Sequence, residues 1–228
     1  MQSFGNVGPK NWGDRPVFIV GGGPSLRPHR DKLRMLYQKG IVLAVNDSYK
    51  YTFFPDAIFS LDHLWLEKML ESGNMDSVPG PVFVAIDENN PQKEHKDVTY
   101  LHRPYRKPPY ILSEDPTTIT NGMNSGFGAL GLAYLKGAKL IYLLGFDFKF
   151  QPDGRTHFHA GYDWFNEDTE NPVSIKQMNV NCQRLFPQWI EAFRDTLPQL
   201  KQAGVQIFNC SPDSALPYFP HIPYEDVL

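Results

Sequence analysis

The feature that most narrows the fold is a short apolar run, Pro16 to Val20, that ends abruptly on Gly21-Gly22-Gly23-Pro24-Ser25. A run of that length bounded by glycines reads as a buried strand closing in a tight turn. Ser25 is placed to cap a helix carrying Leu26, Leu33, Leu36 and Tyr37, and Gly40 to stop it. The same punctuation recurs down the chain. Ile41 to Val45 ends at Asn46-Asp47-Ser48, Ala57 to Leu61 at Asp62-His63, Pro81 to Ile86 at Asp87, and Lys139 to Leu144 at Gly145-Phe146-Asp147. Val205 to Phe208 reads as the last strand. Asn124-Ser125-Gly126 opens a second helix carrying Phe127, Leu130, Leu132, Ala133 and Leu135. A long helical stretch from about Ser174 to Gln202 is expected to break near Pro187 and Pro198.

Strands alternating with helices predict an α/β fold of Rossmann-like architecture, with a mostly parallel sheet flanked by helices and a loop-rich lid. At 228 residues and 41% hydrophobic content, one nucleotide-binding domain spanning 1–228 accounts for the chain. Two segments fall outside the alternation. Residues 89–120, broken by Pro91, Pro104, Pro108, Pro109 and Pro116, and the His- and aromatic-rich residues 149–172 are expected to be lid or active-site loops.

Composition excludes several classes. A net charge of −3 gives no general attraction to nucleic acid, although a local basic patch is compatible with it. No stretch reaches the ~20 apolar residues of a membrane span. The first fourteen residues lack the basic start and apolar run of a signal peptide, which predicts a cytoplasmic protein. Cys182 and Cys210 make no disulfide framework and read as free thiols.

The polar residues fall just past the carboxyl ends of the expected strands, the edge at which open α/β sheets bind ligands. Gly21, Gly22 and Gly23 let backbone amides approach an anion, and a helix opening at Pro24-Ser25 adds its positive end. The loop matches neither Gly-x-x-x-x-Gly-Lys-Ser/Thr nor Gly-x-Gly-x-x-Gly, and a tight turn without a ligand is the competing reading. Asn124, Ser125 and Gly126 offer a second set of donors or simply a cap, and Asn46 a contact to base or ribose or a turn. Asp62 and Asp147 are candidate nucleotide or Mg²⁺ contacts, or turn caps. His157 and His159 are candidate general bases, or a pair of metal ligands lacking an adjacent third. Arg103, Tyr105, Arg106 and Lys107 form either a clamp over phosphates or a solvated basic loop.

Four segments in order carry a family resemblance: Val17–Leu26, Val45–Tyr49, Asn124–Phe148 and Phe208–Leu216. Together they resemble the bacterial lipo-oligosaccharide sialyltransferases that use CMP-sialic acid. They also resemble a wider group containing archaeal 6-hydroxymethyl-dihydropterin pyrophosphokinase and motility-associated glycosylation factors, with short members in prophages. The resemblance implies that the first glycine loop, Asn46 and Ser125 line a nucleotide site. It also implies that a histidine beyond the Gly-x-Asp-Phe strand, His157 or His159, acts as general base. Two positions depart from the pattern. Gly22 stands where the sialyltransferases carry Asn, and Lys149 stands where they carry a tyrosine that holds the departing phosphate. Lys149 can still neutralise that charge.

Three functions follow as expectations. The first is a nucleotide-dependent transferase, a glycosyltransferase with a nucleotide-sugar donor, a His base, Lys149 at the leaving phosphate and no fixed cofactor. The second is an ATP-dependent pyrophosphokinase acting on a hydroxymethyl acceptor, with Mg²⁺ held by Asp62 and Asp147. The third is a non-catalytic nucleotide-binding phage accessory protein. The acceptor stays unassigned, and a homo-oligomer is left open, with Phe127, Leu130 and Tyr134 assigned to the sheet.

Overall fold

The computed structural model describes residues 3–87, 89, 94–105, 107–149 and 172–228, with side chains from 184 onward in the last stretch. Each expected strand forms within a residue or two of its predicted bounds: β1 (Val17–Val20), β2 (Ile41–Val45), β3 (Ala57–Ser60), β4 (Val82–Ile86), β6 (Leu140–Leu144) and β7 (Gln206–Asn209). A further strand, β5 (Val98–His102), joins them. The seven pair in the order β5-β4-β3-β2-β1-β6-β7, every pair parallel. The chain therefore winds outward from β1 in one direction through β5, then returns to its other side with β6 and β7. The reversal falls between β1 and β6, and the carboxyl ends of the strands beside it form the edge at which such sheets bind ligands.

Period-two alternation along β1 divides the core. Val17 and Ile19 face one side with Leu43, Phe59 and Leu143, packed under α2 (Ser125–Leu135) and α3 (Pro172–Gln202). Phe18, Val20, Val42 and Leu144 face the other side, under a 3-10 helix Pro24–Gln38 and the short C-terminal α4 (Tyr224–Val227). Beside them Ala44, Ile58, Val82 and Val84 meet Trp65, Leu66 and Met69 of α1 (His63–Glu71). Strands covered on both faces become continuous apolar runs, which is why these segments were legible as strands. The α/β, Rossmann-like class expected from the sequence is the fold observed.

Four local expectations are corrected. First, residues 89–120 are not a lid throughout. They contain β5, the sheet's edge, with Val98, Tyr100 and Leu101 buried, and they send Tyr110, Leu112 and Ile119 into the core. Second, Ser25 is not a helix cap. Gly23 occupies the cap position of Pro24–Gln38 with no side-chain capping bond, and Ser25 turns to Asp147 instead. That helix winds as 3-10, with Pro28 in its interior withholding a backbone donor. Third, α3 runs unbroken through Pro187 and Pro198. Fourth, α1 was not foreseen. It begins where Asp62 Oδ1 accepts from the amides of Leu64 (3.0 Å) and Trp65 (3.3 Å), an N-cap by side-chain carboxylate. Residues 150–171, with His157 and His159, lie outside the described residues. Among the described residues, no helix is long and apolar enough to cross a membrane.

Candidate functional site

The loops after β1 and β6 are laced together rather than left open. Gly21 N donates to Leu144 O at 2.7 Å and Gly23 N to Gly145 O at 2.9 Å. Ser25 donates to Asp147 twice, from its amide to Oδ2 (2.8 Å) and from Oγ to Oδ1 (2.5 Å). A Cβ on Gly21 would meet Gly145 O at 2.8 Å, and one on Gly23 would meet both Gly145 O and Asp147 Oδ1 at 2.6 Å. Those two glycines are therefore accounted for by close approach of two backbones, and their amides are already spent. Of the three, Gly22 alone faces partly outward with an amide unbonded among the described residues.

Free donors concentrate elsewhere on the same cleft. α2 opens with Asn124 as its cap, Oδ1 accepting from Phe127 N at 2.8 Å. Ser125 Oγ accepts from Leu61 N at 3.0 Å, fixing the helix start to the end of β3. The amides of Ser125 and Gly126 have no partner among the described residues, and an eleven-residue helix adds its positive end there. Gly126 is needed because a Cβ would press on the Phe146 ring at 2.7 Å. Asn46 turns the chain at the end of β2 with φ +49°, a conformation asparagine accepts more readily than most residues. Next to it Ser48 Oγ donates to Gly21 O at 2.8 Å, tying the β2 loop to the glycine loop.

The cleft has a volume of about 540 Å³, within the range of small-ligand sites. Gly22, Asn46, Asp62, Ser125, Gly126, Asp147 and Lys149 all line it, so residues scattered along the sequence do converge. Of the four basic-loop candidates the structure brings in Arg103, while Tyr105 and Lys107 point to solvent and Arg106 lies outside the described residues. Arg103 follows β5 directly. Its Nη1 donates to Leu61 O at 2.8 Å, and its Nε is buried without a partner among the described residues. Desolvation pulls its pKa down, opposed by the charges of Asp87 and Asp62. Further lining residues were missed from the sequence: Met123, Phe148, Phe186 and Trp189, the last with its indole N–H buried and unbonded among the described residues.

Asp147 is almost wholly buried, and burial pushes its carboxyl above the usual carboxylate range against the hydrogen bonds from Ser25 and the charge of Lys149. Both its oxygens accept from Ser25, whereas Asp62 spends Oδ1 on the α1 cap and lines the cleft with Oδ2 in no hydrogen bond among the described residues. Among the described residues, three potential ligands gather only at Asp76, His95 and Asp97, far along the chain from these loops and largely exposed. Cys210 is a free, buried thiol with its pKa pushed up to about 12, too high for a nucleophile.

Tyr224 underpins the arrangement from the C-terminal end. Its hydroxyl accepts from Gly145 N at 3.0 Å and shares a hydrogen bond with Ser25 Oγ at 2.8 Å. Tyr224→Phe strips one buried amide of its acceptor and loosens Ser25, at an expected cost of about 1–2 kcal/mol. Urea unfolding of the two proteins checks this, and equal midpoints would remove Tyr224 as the latch between the two loops.

A parallel seven-stranded sheet with a cleft at the carboxyl ends of its strands defines a Rossmann-like α/β protein. The chain belongs to the 6-hydroxymethylpterin diphosphokinase MptE-like family, whose pattern matches residues 2–153. It is similar in fold to the motility-associated factor (MAf) glycosyltransferase from Magnetospirillum magneticum AMB-1, with a TM-score of 0.59 and 15% identity. That match covers 96% of this chain and 35% of the glycosyltransferase, so this chain spans about a third of that protein's length. No curated protein matches the chain. The family match supports a transferase-like function, and the structural match supports the fold.

Proposed function

We propose that the protein is a nucleotide-dependent transferase, a glycosyltransferase that seats the phosphate of a nucleotide-sugar at the start of α2. The observation that carries this reading is the set of unspent donors around one cavity: the amides of Gly22, Ser125 and Gly126, with Arg103 and Lys149 on its wall. Helix-end amides bind an anion without reorganising, and a guanidinium and an ammonium add the charge that a leaving phosphate develops. The glycine loop's part shifts from cradle to scaffold, since two of its amides hold β6 instead. Asn46 is placed to meet the nucleoside, and the aromatic wall of Phe148, Phe186 and Trp189 to pack against the transferred group or its acceptor. His157 or His159 would take the proton from the acceptor hydroxyl.

The family's description favours a second reading, diphosphoryl transfer from ATP to a hydroxymethyl acceptor, with the same donors gripping the triphosphate. It would require Mg²⁺, for which Asp62 and Asp147 are the candidate ligands; both oxygens of Asp147 already accept from Ser25, while Asp62 commits only Oδ1.

Thermal unfolding with CMP-sialic acid, UDP-sugars and ATP, each with Mg²⁺ and with EDTA, tests both. A ligand at about a hundred times its Kd stabilises by roughly 2.7 kcal/mol, a Tm rise of about 5–10 °C for a chain of this size. A nucleotide-sugar shift that survives EDTA supports the first reading. A shift confined to ATP with Mg²⁺, with AMP released in the presence of a hydroxymethyl acceptor, supports the second. If no nucleotide moves the Tm, both fall.

A further inference from the structure

The edge of the sheet opposite the cleft carries a feature that neither reading uses. Three aromatic rings meet there in the open: Tyr37 at the end of the first 3-10 helix, and Phe53 and Phe54 in the turn before β3. Phe53 and Phe54 lie 4.2 Å apart between centroids, and Tyr37 is 5.7 and 6.2 Å from them. They remain 36%, 50% and 61% exposed in chain order, and Met35 beside them is 42% exposed. A solvated cluster of that kind leaves the hydrophobic gain of folding uncollected. Phe54 is also held at φ +49°, a conformation a bulky side chain adopts only when its surroundings impose it. The turn is imposed by Asp56, whose amide donates to Val42 O while its carboxylate accepts from Val42 N, both at 2.8 Å. That anchoring fixes the rings at the amino end of β2 and β3, across the sheet from the cleft.

The rim of the cluster is basic. Arg30 lies over the Tyr51 ring at 5.5 Å, beside the turn, and Arg34 sits one helical turn before Tyr37. The segment from Arg27 to Lys39 holds Arg27, Arg30, Lys32, Arg34 and Lys39 against Asp31 alone, in a chain whose net charge is −3. We infer that Tyr37, Phe53 and Phe54, rimmed by Arg30 and Arg34, form a face that docks the protein on an anionic lipid surface. Aromatic rings at the level of the headgroups with arginines among the phosphates are the two contributions that hold a peripheral protein on a bilayer. A second copy of the chain is the poorer occupant, because a two-fold contact would set each arginine rim against its twin. A nucleic acid is poorer too: Phe53 and Phe54 are packed on each other, which restricts the ring faces on which bases would stack. Docked this way, the cleft points away from the bilayer and stays open.

Flotation of the full chain with vesicles of phosphatidylcholine alone, and of phosphatidylcholine with phosphatidylserine, tests the inference without any nucleotide. The protein should float with the phosphatidylserine vesicles and not with the neutral ones. Phe53→Ser with Phe54→Asn should cut the bound fraction at least about tenfold, and Arg30→Glu with Arg34→Glu likewise. Asn tolerates a positive φ, so the first pair should melt no lower than wild type, which separates lost docking from lost folding. Wild type remaining soluble with phosphatidylserine vesicles, or either pair of substitutions floating like wild type, overturns the inference. So does a wild-type dimer in sedimentation that the aromatic substitutions abolish, or retention of an oligonucleotide in place of vesicles.

Discussion

Gly23→Ala should lower the stability of this protein by about 3 kcal/mol, the upper part of the range for forcing an extra methyl into packed surroundings. The backbone at Gly23 is at φ −61° and ψ 141°, ordinary for any residue, so conformational freedom is not what the glycine supplies. What it supplies is absence: a Cβ would stand 2.6 Å from Gly145 O and from Asp147 Oδ1. Neither neighbour can yield cheaply. Gly145 is held by its own bond to Tyr224, and Asp147 is buried and doubly bonded to Ser25. Relief therefore requires the β1 and β6 loops to separate at the mouth of the cleft. A chain of this length should lose roughly 6–12 °C in Tm. Gly204→Ala is the control with the opposite cause. Gly204 sits at φ +66° with nothing within 4 Å, so alanine there costs only backbone strain, about 1 kcal/mol. Differential scanning calorimetry of both variants checks the contrast. A Gly23→Ala protein melting with wild type would mean the two loops are not clamped as described.

That contrast also marks what could be read from the sequence. The buried strands were legible because a parallel sheet covered on both faces writes itself as uninterrupted apolar runs, and Val17–Val20 and Ile41–Val45 have no other good explanation. Their polar ends were legible for the same reason, since the fold class alone sends them to one edge. The division of labour inside Gly21-Gly22-Gly23 was not. Which amide is spent depends on Leu144 and Gly145, far away in sequence, and no local pattern reports that partnership. β5 escaped because Val98-Thr99-Tyr100-Leu101-His102 mixes polar and apolar residues, as an edge strand does, and lies in a proline-rich stretch. Missing β5 hid the meaning of Arg103, which reads as a solvated loop residue until it is seen to follow a strand. α1 left a signal that went unused: an aspartate two residues before Leu64, Trp65, Leu66 and Met69 is an N-cap followed by an apolar stripe. Asp62 is expected from the sequence either as a nucleotide or Mg²⁺ contact or as a turn cap, and its Oδ1 caps α1.

Arg103→Ala is expected to weaken binding of the nucleotide that stabilises wild type by about 10- to 100-fold, the worth of one or two hydrogen bonds to a charged group. The same substitution should leave stability within about 1 kcal/mol of wild type. The two expectations rest on one geometry. The Arg103 side chain makes one described hydrogen bond within the protein, from Nη1 to Leu61 O, and that carbonyl lies beside a cleft from which water can replace the donor. Against that modest loss, removing the side chain abolishes a desolvated cation whose Nε has no partner among the described residues. A group that costs the folded state this much and returns one bond is out of place in a purely structural role. The open amides of α2 line the same cleft, and Leu61 links the two, its carbonyl accepting from Arg103 and its amide donating to Ser125, so an anion there could be shared by both. Arg103→Lys sharpens the test, because lysine keeps the charge but not the planar fork that meets two phosphate oxygens at once, so it should recover only part of the affinity. Isothermal titration with the nucleotide, and with pyrophosphate as the portion common to both proposed reactions, reads the affinities, while urea unfolding reads the stabilities. If Arg103→Ala binds pyrophosphate and nucleotide like wild type, the phosphate does not sit at the start of α2. If it binds normally but unfolds several kcal/mol more easily, Arg103 is a strut between β5 and β3 and the cleft's charge must come from Lys149 alone.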